Sequence, residues 1–167
     1  MDCAIHPSFI MQKEPITSEG LERLRAEIHR LKTQERPQII KAIAEARAHG
    51  DLKENAEYAA AKEKQGLLEA RVRDLEQLLA TAQVIDPKTI RSETIAFGAT
   101  VTVFDVNLRK ERRFQIVGKF ETDIHSGKIP IASPIARALI GKRVGDLTEI
   151  QVPKGLQEFE ILKIEYF

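Results

Sequence analysis

From Tyr58 to Ala82 the positions Tyr58, Ala61, Gln65, Leu68, Val72, Leu75, Leu79 and Ala82 recur at spacings of three and four, with charged residues between them. A repeat averaging 3.5 positions commits this segment to a helix with one narrow seam, and such a seam needs a second helix to cover it. The partner lies upstream, where Thr17 or Ser18 can cap a helix start and Leu21, Leu24, Ile28 and Leu31 follow with the same rhythm. Pro37 has no N–H to give a helix, so it should kink or restart this arm before Ile39, Ile40, Ile43 and Ala44 resume an apolar face. The link around His49, Gly50 and Asp51 is short, which predicts an antiparallel coiled-coil helical hairpin. With the helix restarting near Glu54, the second arm should reach roughly 40 Å.

Composition changes near residue 83. Before it the chain is rich in Glu, Lys, Arg, Ala and Leu; after it Val, Ile, Thr, Gly and Pro arrive in short runs. The expected organisation is therefore an α+β protein of two domains, residues 11–82 and 83–167. Strands are expected at Ala99 to Phe104, Arg112 to Val117, Lys128 to Ile131, Thr148 to Val152 and Glu158 to Glu165, forming a small, mostly antiparallel sheet. The run SPIARALIG predicts a short helix with Ser133 as its cap, Pro134 at its first position and Gly141 as its stop. Ile135, Leu139 and Ile140 should pack that helix on the sheet, and Lys154-Gly155 should turn a hairpin.

Lysine and arginine number 26 against 25 acids, so no global basic field exists for coating nucleic acid. A single cysteine, Cys3, excludes an intrachain disulfide and a cysteine-held metal cluster. No apolar run approaches the roughly 20 residues that span a bilayer, and the opening residues lack the pattern of a secretory signal, which points to the cytoplasm. Met11 offers a second start, leaving residues 1–10 as a candidate N-terminal extension.

A hairpin with a seam and little bulk looks built to reach, although a structural or dimerising coiled coil has the same pattern. The segment at 50–57 bears on the choice, because it places acids at Asp51, Glu54 and Glu57. Their plain explanation is a capping box, with Asp51 as the cap and Glu54 three residues on. The chemical alternative is metal binding, but two carboxylates make a poor self-contained magnesium site. They suffice only if another protein supplies the remaining ligands and the phosphate substrate.

The tip sequence GDLKENAEY, the preceding IIKAIAEARAHG, the following AQVID and the distant SPIARALIGK, in that order and spacing, closely resemble the bacterial Gre family of transcript cleavage factors. The likeness runs from about Met11 to Phe167. It implies a C-terminal domain with the fold of the FK506-binding proteins. It also implies that the factor is no enzyme by itself: its hairpin enters the secondary channel of bacterial RNA polymerase and stimulates the polymerase's own Mg²⁺-dependent cleavage of backtracked RNA. By the resemblance Asp51 shares a Mg²⁺ ion with the polymerase active site, no metal being held by the factor alone, and Glu54 orients or deprotonates the attacking water. Arg47 and Lys53 are the basic candidates for contacting the 3′ end of the extruded RNA. Ser133, Pro134, Ile135 and Arg137 match the segment associated with binding the channel rim.

Three rivals remain at this point: a channel-binding relative that inhibits polymerase without stimulating cleavage, a prolyl isomerase, and a plain coiled-coil adaptor. The acid pair argues against the first. The second rests only on fold, and the second half offers few aromatic side chains for an isomerase pocket. The third needs no acid at the tip beyond a cap.

Overall fold

The chain enters its first helix through a hydroxyl cap. A strand, β1 (Glu14–Thr17), leads into α1 (Ser18–Arg30), and the Thr17 hydroxyl accepts the Gly20 N–H at 3.0 Å. One of the donors that every helix leaves open at its start is thereby satisfied. The computed structural model describes residues 13–51 and 55–167; the candidate extension at 1–10 and the tip residues Lys53 and Glu54 lie outside them.

Pro37 does not end the helical path. Leu31–Glu35 form one widened π turn, after which α2 (Arg36–Ala48) continues with Pro37 in its first turn. The Arg36 N–H reaches back to the Leu31 carbonyl, five residues away, and this wider turn accommodates a residue that can neither donate nor tolerate a close carbonyl. The extra residue shifts the seam. Buried Leu31 is followed by half-buried Ile39 and then by buried Ile43 and Ala46, whereas Ile40 is 52% exposed and Ala44 also faces out. Both had been expected on the apolar face.

The returning arm, α3 (Ala56–Thr81), buries Ala61, Leu68, Val72 and Leu75. Leu68, Val72 and Leu75 form one apolar cluster with Ile16, Leu24, Ile28 and Leu31 from the opposing strand and arm. At about 1.5–3 kcal/mol for each large side chain removed from water, this cluster is the main stabilising contribution to the hairpin. Charged pairs run along its flanks. Arg36 grips both carboxylate oxygens of Glu69 at 2.7 and 2.9 Å, and Lys32 pairs with Glu76. These pairs sit partly in solvent and contribute less than the seam.

Where α3 ends, β2 (Ala82–Ile85) pairs with β1 in parallel, Glu14 opposite Ala82 and Thr17 opposite Ile85. Ala82, expected as the last seam position, packs against the seam cluster and also begins this strand. The hairpin thus leaves and rejoins the rest of the chain at one place.

Beyond it a five-stranded sheet has the order β5-β4-β3-β7-β6, built from β3 (Thr100–Asp105), β4 (Lys110–Val117), β5 (Lys128–Pro130), β6 (Leu147–Val152) and β7 (Gly155–Glu165). Every pairing is antiparallel except β4 with β5, in keeping with the mostly antiparallel sheet expected. The last turn uses Pro153 and Lys154, so β7 begins three residues earlier than the alternation suggested. Val101, Val103, Phe114, Ile116, Phe159 and Ile161 meet in one core, closed by Ala136 and Leu139 of α4 (Pro134–Leu139). Ile140 is 38% exposed and does not pack there; Ala136 supplies the contact instead. No helix among the described residues is long and apolar enough to cross a membrane.

Candidate functional site: the acidic hairpin tip

The tip is organised by an amide. Asn55, in extended conformation, accepts the Tyr58 N–H on Oδ1 at 3.0 Å and donates from Nδ2 to the Ala46 carbonyl at 2.6 Å. The first bond caps α3, and the second ties that cap to the last turn of α2. Ala46 also accepts the His49 N–H at 3.2 Å, so one carbonyl gathers both sides of the turn. Gly50, with φ of 118°, takes the left-handed bend that follows α2 and that other residues resist.

Asp51 follows directly and is exposed. The cap of α3 is Asn55, four residues later, rather than Asp51 as expected. Asp51 and Glu57 both border an open hollow at the tip, together with His49, Asn55 and Ala56. The sequence expectation gave Asn55 no role, although asparagine ahead of Ala-Glu-Tyr is itself a helix-start signal.

Arg47 lies in the last turn of α2 with its guanidinium 5.7 Å from the centre of the half-buried Tyr58 ring. That contact holds a positive charge beside the tip. Among the described residues no group of three or more histidines, cysteines or acids is placed to hold a metal ion. Carboxylate oxygens are nonetheless the donors magnesium prefers, and an exposed aspartate suits an ion whose other ligands come from elsewhere.

The residues expected at a polymerase rim sit far along the chain, on α4. Ser133 caps it by accepting the Ala136 N–H at 3.1 Å, and Pro134 occupies its first turn. Ile135 is half-buried against the sheet core, whereas Pro134 and Arg137 are exposed. Of the four, those two present surface that a partner could touch.

Comparison with known proteins agrees along both halves. Residues 14–84 match the family described as transcription elongation factor, N-terminal, and residues 90–166 match transcription elongation factor, GreA/GreB, C-term. The chain is 51% identical over 156 residues to transcription elongation factor GreA of Phenylobacterium zucineum, covering 93% of this chain and 99% of that protein. It is 54% identical over 157 residues to transcription elongation factor GreA of Alkalilimnicola ehrlichii, with the same coverage. Among solved structures, GreA factor homolog 1 of Thermus thermophilus matches at 29% identity and a TM-score of 0.43, covering 92% of this chain and 99% of that one. The chain belongs to the GreA/GreB family of transcription elongation factors.

Proposed function

We propose that this transcription elongation factor carries Asp51 and Glu54 on its hairpin into the secondary channel of RNA polymerase and stimulates Mg²⁺-dependent cleavage of backtracked RNA there. The observation that carries this reading is the placement of an exposed carboxylate at the end of a long arm: Asp51 borders the open hollow at the tip, beside the Asn55 cap of α3. An arm whose buried apolar residues all serve its own seam contributes reach, and the tip contributes charge.

Asp51 would hold the magnesium ion jointly with polymerase carboxylates. When bound, such an ion lowers the pKa of a water and neutralises charge on the phosphate being cut. Glu54 accepts the proton of the attacking water, and Arg47 and Lys53 attract the phosphates of the extruded RNA 3′ end. On α4, Arg137 and Pro134 contact the channel rim, while Ser133 and Ile135 act chiefly by holding that helix in place. The factor itself is not an enzyme in this reading, because it supplies part of a site that polymerase completes.

The test is to incubate the protein with a backtracked bacterial elongation complex and Mg²⁺ and resolve the RNA by length. Short 3′ fragments should appear much faster than without the factor, and none should form from free RNA when polymerase is left out. Cleavage unchanged or slowed by the factor would favour an inhibitory channel binder and sink this proposal.

A further inference from the structure

The hairpin is fastened to the sheet at its root by one buried carboxylate. Glu121 closes the turn that follows β4, Lys119–Glu121, and is only 4% exposed. Its Oε2 accepts the Thr17 N–H at 3.0 Å and the Gly118 N–H at 3.2 Å, while its Oε1 accepts the Thr17 hydroxyl. Thr17 is the residue that caps α1. One side chain therefore joins the cap of the first arm to the end of a sheet strand.

Two glycines make room for this joint. A Cβ on Gly20 would overlap the Glu121 carboxylate, and one on Gly118 would overlap the Pro15 carbonyl oxygen of β1. Gly20 lies inside a helix, where alanine is ordinarily the better residue. Close approach explains why glycine is there. The Lys128 to Glu19 pair also crosses this junction, but at 3.9 Å with Glu19 mostly in solvent it gives little direction.

Burying a carboxylate is costly unless its oxygens are satisfied, and an apolar plug at this place would avoid that cost. Apolar contact, however, tolerates sliding and tilting. Charge-assisted hydrogen bonds to a backbone N–H on each side fix an angle. Leverage makes the angle matter: on an arm of roughly 40 Å, a tilt of about 5° moves the tip by roughly 3–4 Å. A misplacement of about 1 Å at reacting groups can cost on the order of a hundredfold in rate.

We infer that Glu121 is a positioning residue that sets the direction in which the hairpin presents Asp51. Its effect on cleavage rests on the function proposed above; its effect on orientation does not. The experiment uses the full chain with Cys3→Ser and spin labels at two exposed sites, Lys62→Cys on α3 and Glu149→Cys on β6. Pulsed dipolar spectroscopy should give one narrow distance distribution for this parent. Glu121→Ala should broaden or displace it, and so should Gly20→Ala, which leaves every charge in place and strengthens the helix it sits in.

In the cleavage assay each single variant should lower the maximal rate at saturating factor by on the order of tenfold or more, with the half-saturating concentration changed much less. The double variant Gly20→Ala/Glu121→Ala should be no worse than Glu121→Ala, because the added methyl then finds the vacated space. Thermal melts confirm that each variant is folded, and if Glu121→Ala is not, Gly20→Ala decides. Parent-like distances in a folded Glu121→Ala or Gly20→Ala variant, or losses that multiply in the double variant, overturn the inference. A parent that fails to stimulate cleavage defeats the proposed function instead, and the distance distributions still decide the role of Glu121.

Discussion

The hairpin and the five-stranded sheet bury apolar side chains in unlike ways. In the sheet, residues from all five strands and one helix converge, and Val101, Val103, Phe159 and Ile161 are almost fully enclosed. In the hairpin, two arms share a single seam, and positions one residue off it, such as Ile40 and Leu67, are 52% and 66% exposed. A converging core resists change in every direction. A seam resists only separation of its two arms, which leaves the hairpin's length and tip chemistry open to variation without loss of the fold. The difference teaches that one region is shaped by packing and the other by where its end must go.

Truncating the centre of each region is the strongest way to break this comparison. Phe159 is 0% exposed and meets Phe114 edge-to-face with ring centres 6.1 Å apart. Phe159→Ala should cost about 3–5 kcal/mol, whereas Leu75→Ala, on a seam that can close around the gap, should cost about 2 kcal/mol. Denaturant titration measures both. Equal costs would mean that the seam is packed as rigidly as the core.

A charge change at the tip should do the reverse, altering activity and sparing stability. Asp51→Asn removes the negative charge but not the cap of α3, which Asn55 provides. Stimulated cleavage should fall on the order of a hundredfold while the melting temperature stays put. Parent-like cleavage by this variant across a range of Mg²⁺ concentrations would remove Asp51 from the site.

Asn55 sharpens the contrast from the other side. Asn55→Ala loses both the cap and the bond to the Ala46 carbonyl, and should destabilise the tip by about 1 kcal/mol. Hydrogen exchange at the Tyr58 amide should report it. Asn55→Asp keeps an acceptor for that amide and should restore most of its protection.

The smallest effect concerns acid. The Arg36 guanidinium hydrogen-bonded to Glu69 holds its carboxyl below the ordinary glutamate range, against the opposing pull of desolvation. Because the folded value is the lower one, the pair's contribution is present above about pH 4.3 and is lost as pH falls through the folded value. The melting temperature of the parent should therefore drop slightly more steeply below about pH 4.3 than that of Glu69→Gln. Identical acid slopes would show that the pair contributes nothing measurable to the seam.

Much of the architecture was legible in the sequence because its periods are long. About four heptads of seam in α3 leave little room for another conformation, and Ser133-Pro134 announces α4 through two independent preferences. The parts that were not legible depend on distant partners or on a single inserted residue. β1 and β2 have four residues each, too few to show a period, and they form because the hairpin brings them together. Ile40 and Ala44 face out because one π turn shifts the register, which Pro37 hints at without saying by how much. Asp51 and Glu54 stood out as acids, but the capping by Asn55 was hidden among side chains that cap equally well. The tie from Glu121 to Thr17 carries no local signal, since the two lie 104 residues apart.

The parallel pairing of β1 with β2 also bears on how the molecule assembles in time. Parallel strands separated by a long stretch of chain are slow to find each other, because the loop between them must close before any bond rewards it. Here the loop is the hairpin, whose neighbouring turns near Gly50 can zip from the tip downward through contacts close in sequence. Each turn gained shortens the open loop that remains, so β1 and β2 meet as the last teeth of the zip. Pulse-labelled exchange during refolding should accordingly protect the amides of α2 and the start of α3 before those of the strand pair.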